Sequence, residues 1–130
     1  MRKRILIADD TTFMREMLKS SLDKEKYEII GEAKTGKQAV DLFKDKKPDL
    51  LILDINMPEM NGIDALTEVM EFDPKANVIM CSDQKQEPMI VLALKKGAKD
   101  FVVKPFMASD VLRALSKVFK YSPFIQRSFV

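Results

Sequence analysis

The sequence contains no histidine and a single cysteine, Cys81. Without histidine there is no Ser-His or Cys-His catalytic pair, no zinc site of the usual His-containing kinds, and no phosphohistidine carrier. A lone cysteine excludes an internal disulfide, which suits a reducing compartment and predicts a cytoplasmic protein. Long apolar runs are missing too. Met1-Arg2-Lys3-Arg4 has the charge of an export signal, but the apolar stretch from Ile5 to Ala8 is halted by Asp9 and Asp10, too soon for export or membrane insertion. Nor is either charge dominant. The 22 Lys+Arg and 20 Asp+Glu leave a net charge of +2, with the lysines scattered and not interleaved with aromatics. That pattern argues against direct nucleic-acid binding.

What remains is an ordinary globular composition, 46% hydrophobic and 32% charged. A chain of 130 residues has room for one domain with a continuous core and needs no cross-links to hold it.

Short apolar runs alternate with helical patterns five times. The runs are Ile5 to Ala8, Tyr27 to Gly31, Leu50 to Leu53, Val78 to Cys81 and Phe101 to Val103, each brief enough for a buried strand. Between them, Phe13, Met14, Met17, Leu18 and Leu22 fall at helical spacing, as do Ala39, Leu42 and Phe43 behind a capping-box pair, Thr35 and Gln38. Ile63, Leu66 and Met70 predict a third helix after Asn61-Gly62. Met89 to Lys96 predict a fourth that stops near Gly97, and Val111, Leu112, Leu115, Val118 and Phe119 a fifth. Alternating units with apolar strands require a parallel sheet covered by helices on both faces. The commonest five-stranded solution is the α/β, flavodoxin-like, doubly wound (βα)5 fold of strand order 2-1-3-4-5, whose crevice opens outside the carboxyl ends of strands one and three.

The residues at those ends are Asp9 and Asp10, Asp54, Ser82, and Lys104 followed by Pro105. Singly each has an ordinary reading: an aspartate after a strand is usually a cap or turn residue, and Lys104 a solvated lysine. Phe101 and Cys81 read by default as core. Jointly they fit one chemistry. Crowded carboxylates repel one another, and a hard divalent ion such as Mg²⁺ or Mn²⁺, which takes oxygen ligands and a substrate phosphate, offsets their charge. Aspartate can attack phosphorus to form an aspartyl phosphate, while an ammonium and a hydroxyl neutralise the transferred oxygens.

The chain resembles the response-regulator receiver family over about residues 3 to 120, and is most similar to its single-domain chemotaxis members. The resemblance rests on Ile7-Ala8-Asp9-Asp10, on Asp54-Ile55-Asn56-Met57-Pro58-Glu59-Met60-Asn61-Gly62, on Gly97-Ala98-Lys99-Asp100-Phe101 and on Lys104-Pro105-Phe106. It implies a two-component signalling switch rather than an enzyme, in which Asp54 takes a phosphoryl group from a histidine kinase. By the same resemblance Asp10 binds the metal directly, Asp9 acts through metal-bound water, and Asn56 adds its backbone carbonyl. Ser82 and Lys104 stabilise the phosphoryl group, Ser82 and Phe101 form the switch, and the Lys104-Pro105 bond is cis. The output is a changed surface read by an effector such as a flagellar motor component.

Two positions depart from the family pattern. Asp83 follows the switch serine where a small residue is usual, and its charge is expected to hinder phosphoryl entry or kinase docking. Phe101 lacks the hydroxyl of the tyrosine in many relatives. Asn56 and Gln84, with Asp83, are expected to tune hydrolysis by orienting a water. The receiver domain is expected over 1–121 and a tail, docked or frayed, over 122–130. Rival readings fare worse. An aspartyl-phosphate phosphatase would want its nucleophile after the first strand and a second acid where Asn56 stands. A flavin carrier would want a phosphate cradle where Asp9 and Asp10 stand. A receiver excised from a larger regulator or hybrid kinase shares every one of these site residues.

Overall fold

The inner strands are built mainly from residues whose side chains suit burial on two faces, and the alternation along each strand decides which face a residue enters. The computed structural model describes residues 1–83 and 86–119; Gln84, Lys85 and everything from 120 onward, including the tail expected at 122–130, lie outside the described residues. The described residues run β1 (Lys3–Ala8), α1 (Thr12–Ser20), β2 (Tyr27–Ala33), α2 (Gly36–Lys46), β3 (Leu50–Asp54), α3 (Gly62–Phe72), β4 (Val78–Asp83), α4 (Glu87–Lys96), β5 (Asp100–Lys104) and α5 (Ala108–Phe119). All strand pairings are parallel and the order is β2-β1-β3-β4-β5, the flavodoxin-like doubly wound arrangement that the sequence predicts.

Two cores flank the sheet. Leu6, Leu51, Leu53, Val78 and Met80 point to one side, against Val40 and Phe43 of α2, Leu66 and Val69 of α3, and Ile90 and Ala93 of α4. Ile5, Ile7, Leu50, Ile52, Ile79 and Val102 point to the other, against Leu18 of α1 and Val111, Ala114 and Leu115 of α5. Central β3 is buried at all five positions, which is why its sequence Leu-Leu-Ile-Leu-Asp shows no alternation. Edge strand β2 is only partly covered, and it runs to Ala33, beyond the Gly31 expected from its apolar run, because Glu32 continues the ladder opposite Ile7.

The helix ends explain their own positions. Thr35 caps α2 by accepting from the Gln38 amide, but Gln38 Oε1 accepts in return from the Lys34 amide at 2.7 Å, one residue before the cap. Asn61 caps α3 through the Asp64 amide. Gly97 closes α4 at φ +119°, in the left-handed region that glycine enters without penalty. Among the described residues no helix is long and apolar enough to cross a membrane.

Helical spacing misleads at two places. Phe13 is 70% exposed and Leu112 44%, while Arg15 is buried on α1 instead.

Candidate functional site

A parallel sheet presents all its strand ends to one edge, so β1, β3, β4 and β5 deliver their last residues together. Asp54 ends β3 opposite Cys81, and Lys104 ends β5 opposite Asp83. Asp9, Asp54 and Ser82 are buried, and Asp10 is exposed beside them. Asp9, Asp10 and Asp54 each offer a carboxylate oxygen within 4.8 Å of the others. The donor set is entirely oxygen and anionic, which fits a hard divalent cation.

Lys104 sits against this cluster. Its Nζ donates to Asp9 Oδ2 at 2.9 Å and lies 3.4 Å from Asp54 Oδ2. Burial pushes the Asp54 carboxyl up to about 6; the Lys104 charge opposes that shift, Asp9 adds to it, and a backbone hydrogen bond from Asn56 opposes it. Burial also works against the Lys104 ammonium, yet the bond to Asp9 and the charge of Asp54 hold its pKa above the ordinary lysine value.

Asp9 is held on every side. Its amide donates to the Ala33 carbonyl at 3.0 Å, and its Oδ1 accepts from the Thr11 amide and hydroxyl at 2.9 and 3.1 Å. Thr11 in turn caps α1 through the Met14 amide, so one residue joins the carboxylate to the helix. The Asp9 carbonyl accepts from Arg15 Nη1 at 2.7 Å. Arg15 escaped the sequence reading, although Arg15, Leu18 and Leu22 share the i, i+3, i+7 spacing of a core stripe, and a charge on such a stripe is the signal that it has a buried task.

The remaining residues fall as follows. Ser82 Oγ is buried and, among the described residues, has no hydrogen-bond partner. Asn56 is exposed in the loop after β3. Asp83 is exposed, its amide donating to Gln86 Oε1 at 3.1 Å. Phe101, 37% exposed rather than core, borders a surface groove with Ile90, Val91 and Leu94 of α4. Cys81 is the buried residue its default reading predicts. The Lys104-Pro105 bond is cis. Gln84 lies outside the described residues.

The model of the response regulator receiver domain matches residues 5–116, and the chain belongs to that family. It is similar over nearly its whole length to chemotaxis proteins: 54% identical to CheY of Thermotoga maritima, covering 92% of this chain and 100% of that one, and 50% identical to CheY of Bacillus subtilis, covering 90% and 98%. Among solved structures it superposes on CheY in the CheX-CheY-BeF3-Mg²⁺ complex of Borrelia burgdorferi with a TM-score of 0.85 at 39% identity, covering 90% and 89% of the two chains. The response regulator domain of Thermotoga maritima CheB gives 0.84 at 34%, covering 95% and 100%. The chain is thus a receiver domain closely matching the single-domain chemotaxis response regulators.

Proposed function

We propose that Asp54 accepts a phosphoryl group from a histidine kinase, with Mg²⁺ or Mn²⁺ held by Asp9, Asp10, Asp54 and the Asn56 carbonyl. The observation that carries this reading is the meeting of three carboxylates with the Lys104 ammonium at one sheet edge. When bound, the ion offsets the negative charge that gathers as phosphate meets carboxylate. Asp54 attacks phosphorus through a carboxylate oxygen, the bond from phosphorus to the donor imidazole breaks, and the imidazole leaves with its electron pair. Lys104 then faces one phosphoryl oxygen. Ser82 turns toward another, giving its buried hydroxyl the partner that it otherwise lacks among the described residues.

That turn empties space beside β5, and Phe101 swings in to fill it, reshaping the groove over α4 and the surface offered to an effector. A flagellar motor component is the effector that the chemotaxis relatives suggest, and a CheX-like protein is a second, since the Borrelia burgdorferi relative forms a complex with CheX. Asn56, Gln84 and Asp83 tune how long the phosphoryl group survives. Donor and effector meet the protein in the cytoplasm.

Intact-mass measurement after incubation with acetyl phosphate tests the reading. One phosphoryl group is expected with Mg²⁺, and none without metal or in Asp54→Asn. No gain in the parent protein overturns it. Asp83→Ala is expected to label faster, because a negative charge leaves the path of an anionic donor.

A further inference from the structure

Arg15 carries a charge into the interior, where its side chain keeps only 6% of its exposure. A buried guanidinium is tolerated only when its donors are satisfied, and this one is spread across three parts of the fold. Nη1 donates to the Asp9 carbonyl at 2.7 Å, Nη2 to Thr12 Oγ1 at 3.1 Å, and Nε to Glu32 Oε1 at 2.9 Å. Those partners are the residue after β1, the first residue of α1, and the β2 residue that pairs with Ile7. Glu32 is itself steadied by Lys19 at 3.0 Å. The fork therefore spans the turn that carries Asp9 and Asp10.

Resting on the metal-site reading above, we propose that Arg15 is the positioning residue of the cation site: it grips the Asp9 carbonyl and sets the β1–α1 turn so that both aspartates face the ion with Asp54. The need for arginine follows from geometry. A lysine has the same charge but a single nitrogen, which cannot reach the Asp9 carbonyl, Thr12 and Glu32 from one planar fork. The alternative is that Arg15 acts only as a nearby charge or a packing element. The two roles differ in sign. A positive charge beside a divalent site repels the ion, so on charge alone the loss of Arg15 would tighten Mg²⁺ binding. Loss of a residue that orients ligands weakens binding, typically by about 10-fold or more.

Isothermal titration of Mg²⁺ into the full chain, its Arg15→Lys variant and its Arg15→Gln variant decides between them, with circular dichroism and urea unfolding reporting the fold of each. Arg15→Lys is expected to bind Mg²⁺ about 10-fold more weakly at unchanged net charge. Arg15→Gln is expected to bind at least as weakly although it removes a positive charge. Parent-like affinity in Arg15→Lys, or tighter binding in Arg15→Gln, overturns the proposal. Should Arg15→Gln fail to fold, Arg15→Lys carries the test alone. A parent protein that binds no Mg²⁺ overturns the metal-site reading itself, an outcome distinct from equal binding by parent and variant.

Discussion

Lys104 Nζ stands 2.9 Å from Asp9 Oδ2 and 3.4 Å from Asp54 Oδ2, so one ammonium from β5 is shared between two carboxylates, one just after β1 and one ending β3, and offsets part of their charge. Removing it leaves two buried anions facing each other. Lys104→Met is expected to lower stability in a chelating buffer by about 2 kcal/mol, less than for a fully buried pair because the lysine side chain is 22% exposed. Urea unfolding measures this, and added Mg²⁺ should recover more stability in the variant than in the parent. Labelling by acetyl phosphate should fall by about 10²-fold, as it does when a fixed donor to a developing anion is deleted.

Asp54 makes stability depend on pH in an unusual direction. Its carboxyl is raised to about 6 in the folded protein from 3.8 when free, so between those values the folded state binds more protons than the unfolded one. Stability from this group is therefore complete below the lower value and is lost as pH rises through about 6. Glu32 and Asp110, held below the ordinary carboxylate range, oppose it by losing stability as pH falls. Comparing the parent with Asp54→Asn isolates the effect. In chelating buffer near neutrality the variant is expected to be the more stable by on the order of 2–3 kcal/mol, a gap that closes as the pH approaches about 4. An equal gap at both pH values in urea unfolding would refute the assignment.

Gly62 opens α3 directly under the site loop. A Cβ there would lie 2.1 Å from the Asp54 carbonyl oxygen and 2.7 Å from Ile55 Cα, both backbone atoms that cannot swing aside. Gly62→Ala is expected to cost about 3 kcal/mol in urea unfolding. The Gly62 amide donates to the Ile55 carbonyl at 2.7 Å, so the same shift moves the segment carrying Asp54 and Asn56, and phosphoryl labelling should slow as well.

Cys81 sits beside Asp54 in register with it across β3 and β4. Burial, helped by the Asp54 charge, pushes its thiol up to about 12. Thiol reagents at about pH 8 are expected to leave the folded protein unmodified and to react fully once it is unfolded in urea. Rapid reaction of the native protein would mean that β4 opens far more readily than its packing suggests.

Much of this was legible in the sequence, for a physical reason. Strands buried on both faces must be apolar throughout, so Leu50 to Leu53 and Val78 to Cys81 announce themselves, and the residue that ends such a run can be polar only where the sheet edge meets solvent or a site. Asp9, Asp54, Ser82 and Lys104 could be found that way, as could the order of strands, since right-handed crossovers leave few alternatives. Edge strand β2 was read short because one covered side supports a polar residue such as Glu32.

The cluster of acids at strand ends was thus determined by the sequence itself, through local burial and chain connectivity. Tertiary structure alone decided how it is held. Arg15 shares the apolar stripe of α1, but that its charge can be buried there while Phe13 stays exposed depends on acceptors that Asp9 and Glu32 bring from other segments. The same holds for Phe101, which borders the groove lined by α4 and β5 instead of packing in a core, and for Arg15, whose three partners lie on segments that meet only once the sheet has formed.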